Sequence, residues 1–257
     1  MKSVQKHVSM LVGGFLLANL TVPGLVRADD VAGFMKTIMQ ERQDAVVLTK
    51  TVVEMFDSER KMEGLATIIS DEGLAVISLS GIDPGSFYRA GFDDVNVKDI
   101  KMVLADNTEI PSRIVLRDPE LDLAFIKPVE PLDQKLTFVP LSEHATPEMF
   151  DQVVILSRLG SAVGNVPSLA IARIQAIIEK PRIMFMPDPF TGLVSGMGTP
   201  VFSLDGHVIG ILLLKFTRGS DDYAGDLGGI SSLGLLPVIL PAQEIIDVME
   251  KAPELKE

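Results

Sequence analysis

The sequence predicts an all-β protein made of two packed antiparallel β-barrels with a short helix at each end. From residue 45 onward, the chain is a succession of short runs rich in β-branched residues. Turn signals separate these runs about every 8–15 residues without a long helical pattern, which is typical of antiparallel sheets closed into barrels or sandwiches. The runs also form two halves of similar length, joined near Pro140–Pro147.

The first half, residues 44–143, contains four of these runs. Asp71-Glu72-Gly73 and Asp106-Asn107 mark turns within two of them. Residues 83–99 are rich in glycine, proline and charge, so we expect an exposed excursion there. The four runs cover residues 45–56, 64–78, 100–118 and 121–129.

The second half, residues 144–240, contains five predicted strands. Asp205-Gly206 is a two-residue turn signal, so the last two of these strands form a β-hairpin. Upstream of that hairpin, Gly196 and Gly198 mark either a functional loop or a bare turn, because glycine serves both where φ is positive and where a ligand approaches the backbone. The five strands are residues 152–158, 168–179, 182–186, 199–203 and 207–216.

Helical spacing appears at the two ends of the chain. The N-terminal segment, residues 29–43, carries Val31, Phe34, Ile38 and Met39 at helical spacing, with Asp29 or Asp30 as an N-cap. We expect this helix to pack on its own domain; a subunit contact is the alternative. The C-terminal helix and tail, residues 241–257, begin at Pro241 and place Ile245, Ile246 and Met249 on one face.

Residues 1–28 have the pattern of a secretory signal peptide. Lys2 and Lys6 precede an apolar run, which Gly13, Gly14 and Pro23 interrupt, and small residues follow before Asp29. The sequence therefore predicts an exported protein without a stable membrane span after cleavage; an uncleaved anchor is the alternative.

Composition argues against several function classes. The full chain has 23 basic and 35 acidic residues, a formal charge of −12, and removal of residues 1–28 takes these counts to 20 and 35, a charge of −15. So acidic a surface repels nucleic-acid phosphates and anionic lipids. The chain has no cysteine for disulfides or thiolate metal sites. Phosphate-loop, zinc-ligand and dinucleotide motifs are also absent from the sequence, so we expect neither a cofactor nor a metal.

An acidic, glycine-rich loop covers residues 217–232. It carries Asp221, Asp222 and Asp226, but their spacing differs from that of an EF-hand calcium loop. We therefore interpret the loop as a solvated surface segment.

Four segments, in this order, resemble the trypsin-like protease domain of the exported HtrA (Deg) family. They are GLATIISDEGLAVISLSGI at 64–82, LADNTEIPSRIVLRDPELDLAFIKP at 104–128, GMGTPVFSLDGHVIGI at 196–211 and LPVILPAQEIIDVM at 236–249. The resemblance covers roughly residues 44–250 and implies a double six-stranded antiparallel β-barrel. It also implies a periplasmic, cell-envelope or secreted location and a possible homotrimer. We expect the PDZ domain of that family to be missing, since the chain ends soon after the last helix.

The resemblance places the catalytic positions on residues that lack the chemistry. The aspartate position falls on Asp122, the histidine position on Ser80 and the serine nucleophile position on Met197. Acyl transfer needs a hydroxyl nucleophile and an imidazole base, so two of the three groups are missing. The oxyanion loop carries Ser195 and Gly196. The family has a glycine at the position of Ser195, and the φ that the oxyanion hole needs there would be strained for a serine, so we do not expect a working oxyanion hole.

Other residues offer alternatives that the sequence leaves open. His144 and His207 are most simply surface residues, although a shifted triad of Ser195 and His207 is conceivable. Without an imidazole partner, Asp122 is expected to accept hydrogen bonds from Ser80 and nearby N–H groups. Met184, Met186 and Met197 fill a core or line an apolar peptide groove.

The sequence thus predicts an exported, non-catalytic trypsin-like module that binds a peptide or protein partner, or scaffolds an assembly. Such a module reuses the cleft between its barrels and exposed strand edges. An active serine endopeptidase with a non-standard active site is the alternative.

Overall fold

The computed structural model describes residues 28–55, 58–83, 96–216, 235–252 and 255. The predicted signal peptide, apart from Ala28, lies outside the described residues. The acidic loop with Asp221, Asp222 and Asp226 also lies outside them, as do residues 84–95 of the predicted excursion. No helix in the described ranges is both long and apolar enough to cross a membrane.

The first barrel closes six antiparallel strands in the order β1-β2-β3-β6-β5-β4. Its interior is a cluster of buried aliphatic side chains that includes Ile68, Ile77, Met102 and Ile126. β5 alternates exposed and buried residues at its start, as expected for a strand with one face on a core. The strands are β1 (Val46–Met55), β2 (Ser58–Ile68), β3 (Ala75–Ser78), β4 (Asn96–Val103), β5 (Glu109–Asp118) and β6 (Leu123–Pro128).

The second barrel closes six further antiparallel strands in the order β10-β11-β12-β9-β8-β7. Val153, Ile155, Ile174, Leu212 and Ile239 are among the side chains that fill it. The strands are β7 (Gln152–Arg158), β8 (Pro167–Ile178), β9 (Met184–Pro187), β10 (Thr199–Ser203), β11 (Val208–Phe216) and β12 (Leu235–Pro241). The predicted fold class, a trypsin-like double six-stranded β-barrel with short terminal helices, is confirmed.

One detail of the predicted strands is corrected and another is confirmed. Residues 96–99 were expected in the excursion, but they begin β4 and pair with β1, where Val53 lies opposite Val97. The hairpin at Asp205-Gly206 forms as predicted: Gly206 has φ 97° and β10 pairs with β11. The glycine requirement of that turn made it visible in the sequence.

The two terminal helices pack on the domain. α1 (Ala28–Arg42) buries Ile38 and packs Phe34 and Met39 against the core between the barrels, as the interpretation of a helix on its own domain expects. The expected N-cap at Asp29 or Asp30 is wrong, because the helix already includes Ala28. α3 (Ala242–Lys251) follows Pro241 and buries Ile245.

A third core lies between the two barrels and beneath the terminal helices. It joins Val76 and Phe125 of the first barrel to Leu156, Phe202 and Leu240 of the second. Burial of this much apolar surface holds the barrels against each other without disulfides. The faces that the barrels turn towards each other also carry the candidate site.

Candidate functional site

Asp122 stands at the interbarrel face, immediately before β6. The preceding turn is fixed by Asp118, whose Oδ1 accepts hydrogen bonds from the backbone N–H groups of Glu120 and Leu121. Asp122 itself has φ 55°, a left-handed conformation that aspartate tolerates better than most residues. Its carbonyl oxygen accepts from Leu79 N at 2.9 Å, which ties the turn to the end of β3.

The Asp122 carboxylate is buried and accepts hydrogen bonds from both barrels. Ser80 N donates to Oδ1 at 2.7 Å, while Ser78 Oγ donates to Oδ2 at 2.5 Å. Leu214 N, on β11 of the second barrel, donates to Oδ2 at 3.2 Å. The expected bond from Ser80 is therefore present through its backbone. The hydrogen bond from the Ser78 hydroxyl was not predicted. Ser78 lies two residues before Ser80, and no sequence pattern marks a serine there as a partner of Asp122.

Burial raises the pKa of Asp122, since desolvation of the carboxylate outweighs the hydrogen bonds from Ser78, Ser80 and Leu214 that favour its charged form. The unfolded chain has the ordinary value of 3.8, so the folded protein binds this proton more tightly. The contribution of Asp122 to stability is therefore fully present below pH 3.8 and is lost as the pH rises through the folded pKa.

We expect wild type to lose stability relative to Asp122→Asn as the pH rises from about 4 to 7, because asparagine cannot ionise. Urea unfolding midpoints of both proteins across this range measure the difference. A difference that stays constant, or moves in favour of wild type with rising pH, would contradict the burial effect.

Ser80 occupies the position that the resemblance assigns to the catalytic histidine. It lies in a 3₁₀ turn, Leu79–Gly81, that follows β3, and it is 4 % exposed. Its hydroxyl is 2.9 Å from Ser78 Oγ. The structure therefore brings Ser78, Ser80 and Asp122 into one buried cluster of oxygen atoms.

Met197 lies on a tight loop between α2 (Pro189–Ser195) and β10. Gly196 and Gly198 flank it with φ of 86° and 84°, values that side-chain-bearing residues rarely adopt. Met197 is half-buried against the core of the second barrel. The loop shape depends on the two glycines, as the sequence suggested, and its central side chain is a thioether.

Ser195 does not adopt the left-handed φ that an oxyanion hole of this fold would require at its position. Ser195 ends α2, a helix that the sequence analysis missed, and it is absent from the described non-glycine residues with positive φ. Asp188 caps that helix by accepting from Thr191 N at 2.8 Å. Pro189 follows the cap, so the pattern of an aspartate before a proline was the available signal. The Ser195 carbonyl accepts a hydrogen bond from Ser157 Oγ on β7.

The structure does not assemble the alternative triad. Ser195 Oγ donates to Thr191 O of its own helix at 2.7 Å. His207 Nδ1 lies 3.2 Å from Asp205 Oδ2 at the exposed hairpin, and His144 Nε2 lies 3.1 Å from Gln243 Oε1. Each histidine therefore has a local partner, away from Asp122.

A cavity of about 320 Å³ opens between the barrels beside Met197. Leu48, Leu65 and Ile77 of the first barrel line it together with Met197, and Ser78 places it next to the Asp122 cluster. Of the other two methionines, Met184 is buried in the core and Met186 is half-buried on β9. Only Met197 of the three lines this cavity within the described residues.

Clusters of three or more histidine or acidic side chains suited to a metal ion were not found in the part of the chain that the structure describes.

Residues 89–211 match the family model of the trypsin-like peptidase domain. This range contains Asp122 and Met197, while Ser80 precedes it. The match agrees with the two closed six-stranded barrels, so the chain contains a domain of the trypsin-like peptidase fold. Membership of the HtrA family stays a prediction.

Proposed function

We propose that this protein is an exported, HtrA-like domain that no longer hydrolyses peptide bonds and instead binds a peptide or protein segment in the cleft between its barrels. Export to the periplasm or cell envelope, and assembly into homotrimers, are parts of this proposal that rest on the sequence.

The main observation in support of this proposal is the hydrogen bonding of the Asp122 carboxylate. In a serine protease of this fold, the buried aspartate orients an imidazole, which in turn takes the proton of the serine nucleophile. Here the carboxylate accepts from Ser78 Oγ and Ser80 N. A serine hydroxyl is far too weak a base to replace an imidazole near neutral pH.

The nucleophile position supports the same proposal. The thioether of Met197 has no proton to lose and cannot form an acyl intermediate with a carbonyl carbon. The site has a tight loop in which glycines flank Met197, the buried polar cluster at Asp122, and an apolar cavity. These features suit recognition of a segment of chain better than covalent catalysis.

A fluorophosphonate probe tests the loss of catalysis. We expect residues 29–257 to remain unlabelled and to leave unfolded casein intact, while an intact trypsin-like protease in the same buffer is labelled. Met197→Ser is expected to remain unlabelled too, because the variant still has no base at Ser80. Circular dichroism of each protein establishes that it is folded.

Labelling of wild type that disappears in Ser78→Ala, Ser80→Ala or Ser195→Ala would overturn the proposal. It would identify that serine as the nucleophile of an active endopeptidase.

A further inference from the structure

The interbarrel cavity has an apolar floor made by both barrels. Leu48 and Ile77 are buried, whereas Leu65 and Met197 are half-buried along the wall. A Cβ atom added at Gly196 would lie 2.8 Å from Leu65 Cδ1, so the glycine allows Leu65 to pack directly against the loop that carries Met197. At about 320 Å³ the cavity is at the lower end of the size range of ligand sites, about 300–1,000 Å³. That volume suits one or two side chains of a peptide.

The hydrogen-bonding side chains of this cavity are poorly suited to bind an anion, because their donors have partners within the protein. All three guanidinium nitrogens of Arg158 donate within the protein, Nε to Val46 O, Nη1 to Asn165 O and Nη2 to Gln43 O. Ser78 Oγ donates to Asp122. The side-chain nitrogens of Arg158 and the hydroxyl of Ser78 in the cavity wall are therefore engaged in structural hydrogen bonds.

Glu63 is the acidic residue among those that line the cavity, and Arg158, whose guanidinium is held by the contacts above, is the basic one. The Glu63 side chain is exposed on β2, and its Oε2 accepts from Ser161 Oγ at 2.8 Å across the interbarrel boundary. Within the described part of the chain, both hydrogen bonds to Glu63 reach Oε2, so Oε1 remains for a donor from a ligand. The formal charge of −12 over the full chain also attracts basic partners.

We propose that this cavity, which we call the Leu65–Met197 pocket, binds an apolar side chain of an extended basic segment, with a neighbouring lysine or arginine paired to Glu63. The proposal rests on the non-catalytic binding function above and specifies its ligand. The apolar side chain gains affinity by leaving water, and the basic neighbour sets the preference among peptides.

Fluorescence anisotropy with three labelled peptides tests this ligand class. The peptides share one glycine- and serine-rich sequence and differ only at a central pair: Leu-Lys, Leu-Glu or Ser-Lys. We expect the Leu-Lys peptide to bind most tightly. Its advantage over Leu-Glu is expected to shrink as salt is raised, because the pair at Glu63 is exposed.

Two variants locate the binding. Glu63→Gln is expected to reduce the preference for Leu-Lys over Leu-Glu by about two- to five-fold at low salt, the range of an exposed ion pair. Leu65→Ala is expected to weaken Leu-Lys binding about tenfold through lost apolar contact. Glu179→Gln and Ile177→Ala, at exposed positions on and after β8, serve as matched controls that leave affinity unchanged.

The outcomes separate this proposal from the one above. Equal binding of Leu-Lys and Leu-Glu by wild type, an unchanged preference in Glu63→Gln, or no binding of any of the three peptides overturns the proposed ligand. None of these results requires catalysis. Failure of the non-catalytic function is detected independently, as serine labelling by the fluorophosphonate probe. Because Glu63 is exposed, its variant tests the proposal even if Leu65→Ala fails to fold.

Discussion

Replacing Arg158 by methionine is expected to lower the free energy of unfolding by about 3–5 kcal/mol. Arg158 belongs to β7 of the second barrel. Its guanidinium nevertheless donates to Val46 O, at the start of β1 in the first barrel, and to Gln43 O in the turn just before that strand. It also donates to Asn165 O at 3.0 Å and lies 3.2 Å from the Asp44 carboxylate. Methionine fills similar space but removes the guanidinium donors of these buried or part-buried carbonyl oxygens.

Burial makes the charge of Arg158 costly, and the protein compensates for it locally. Desolvation lowers the pKa of the guanidinium, while Asp44 acts in the opposite direction. Arginine remains charged at neutral pH even so. Since Asp44 is largely exposed, the expected loss comes mainly from the backbone carbonyls and much less from the ion pair.

Arg173→Met is the matched control for Arg158→Met. Arg173 lies on the neighbouring strand β8, is exposed, and donates to Phe150 O at 3.1 Å. We expect its replacement to cost about 1 kcal/mol or less. Urea unfolding of the two variants and wild type measures both costs. Similar small losses at the two sites would show that Arg158 does not hold the barrels together.

Gly198→Ala is expected to destabilise the fold by about 2–5 kcal/mol. At φ 84°, the backbone of Gly198 is strained for any side chain, and an added Cβ would lie only 2.3 Å from the carbonyl oxygen of Leu65. The residue cannot shift easily, because its N–H donates to Leu212 O at 2.7 Å and its carbonyl accepts from Thr67 Oγ1 at 2.7 Å.

The same substitution at Gly33 is expected to have the opposite effect. Gly33 lies within α1, and a Cβ there would meet nothing within 4 Å. Alanine is a better helix former, so Gly33→Ala is expected to add about 0.5–1 kcal/mol of stability. Thermal or urea unfolding of the pair measures both effects. A stability loss at Gly33, or none at Gly198, would contradict the local geometry described above.

The sequence predicted the fold well because its signals are local. β-branched runs, Asp-Gly turns and a proline before α3 each act over a few residues, and strand spans such as Gln152–Arg158 agree with the structure. α2 was missed since seven residues, Pro189–Ser195, provide too short an apolar pattern. Its cap at Asp188 was visible only as an aspartate preceding a proline.

The candidate site was less predictable because it depends on long-range contacts. The sequence placed Asp122, Ser80 and Met197 only through a family resemblance. Nothing in the chain indicates that Ser78 donates to Asp122 from 44 residues away, or that Arg158 reaches Gln43. The first contact follows from the pairing of β3 with β6 and the second from how the barrels pack, and periodicity and turn chemistry specify neither.

The position of α1 also bears on the order in which the chain can fold. Each barrel is continuous in sequence, so the first can close while the second is still being synthesised. α1, however, precedes the first barrel and reaches the second: Phe34 approaches Gly206 in the β10–β11 hairpin. The packing of α1, the first described segment of the chain, can therefore be completed only after the β10–β11 hairpin of the second barrel has formed.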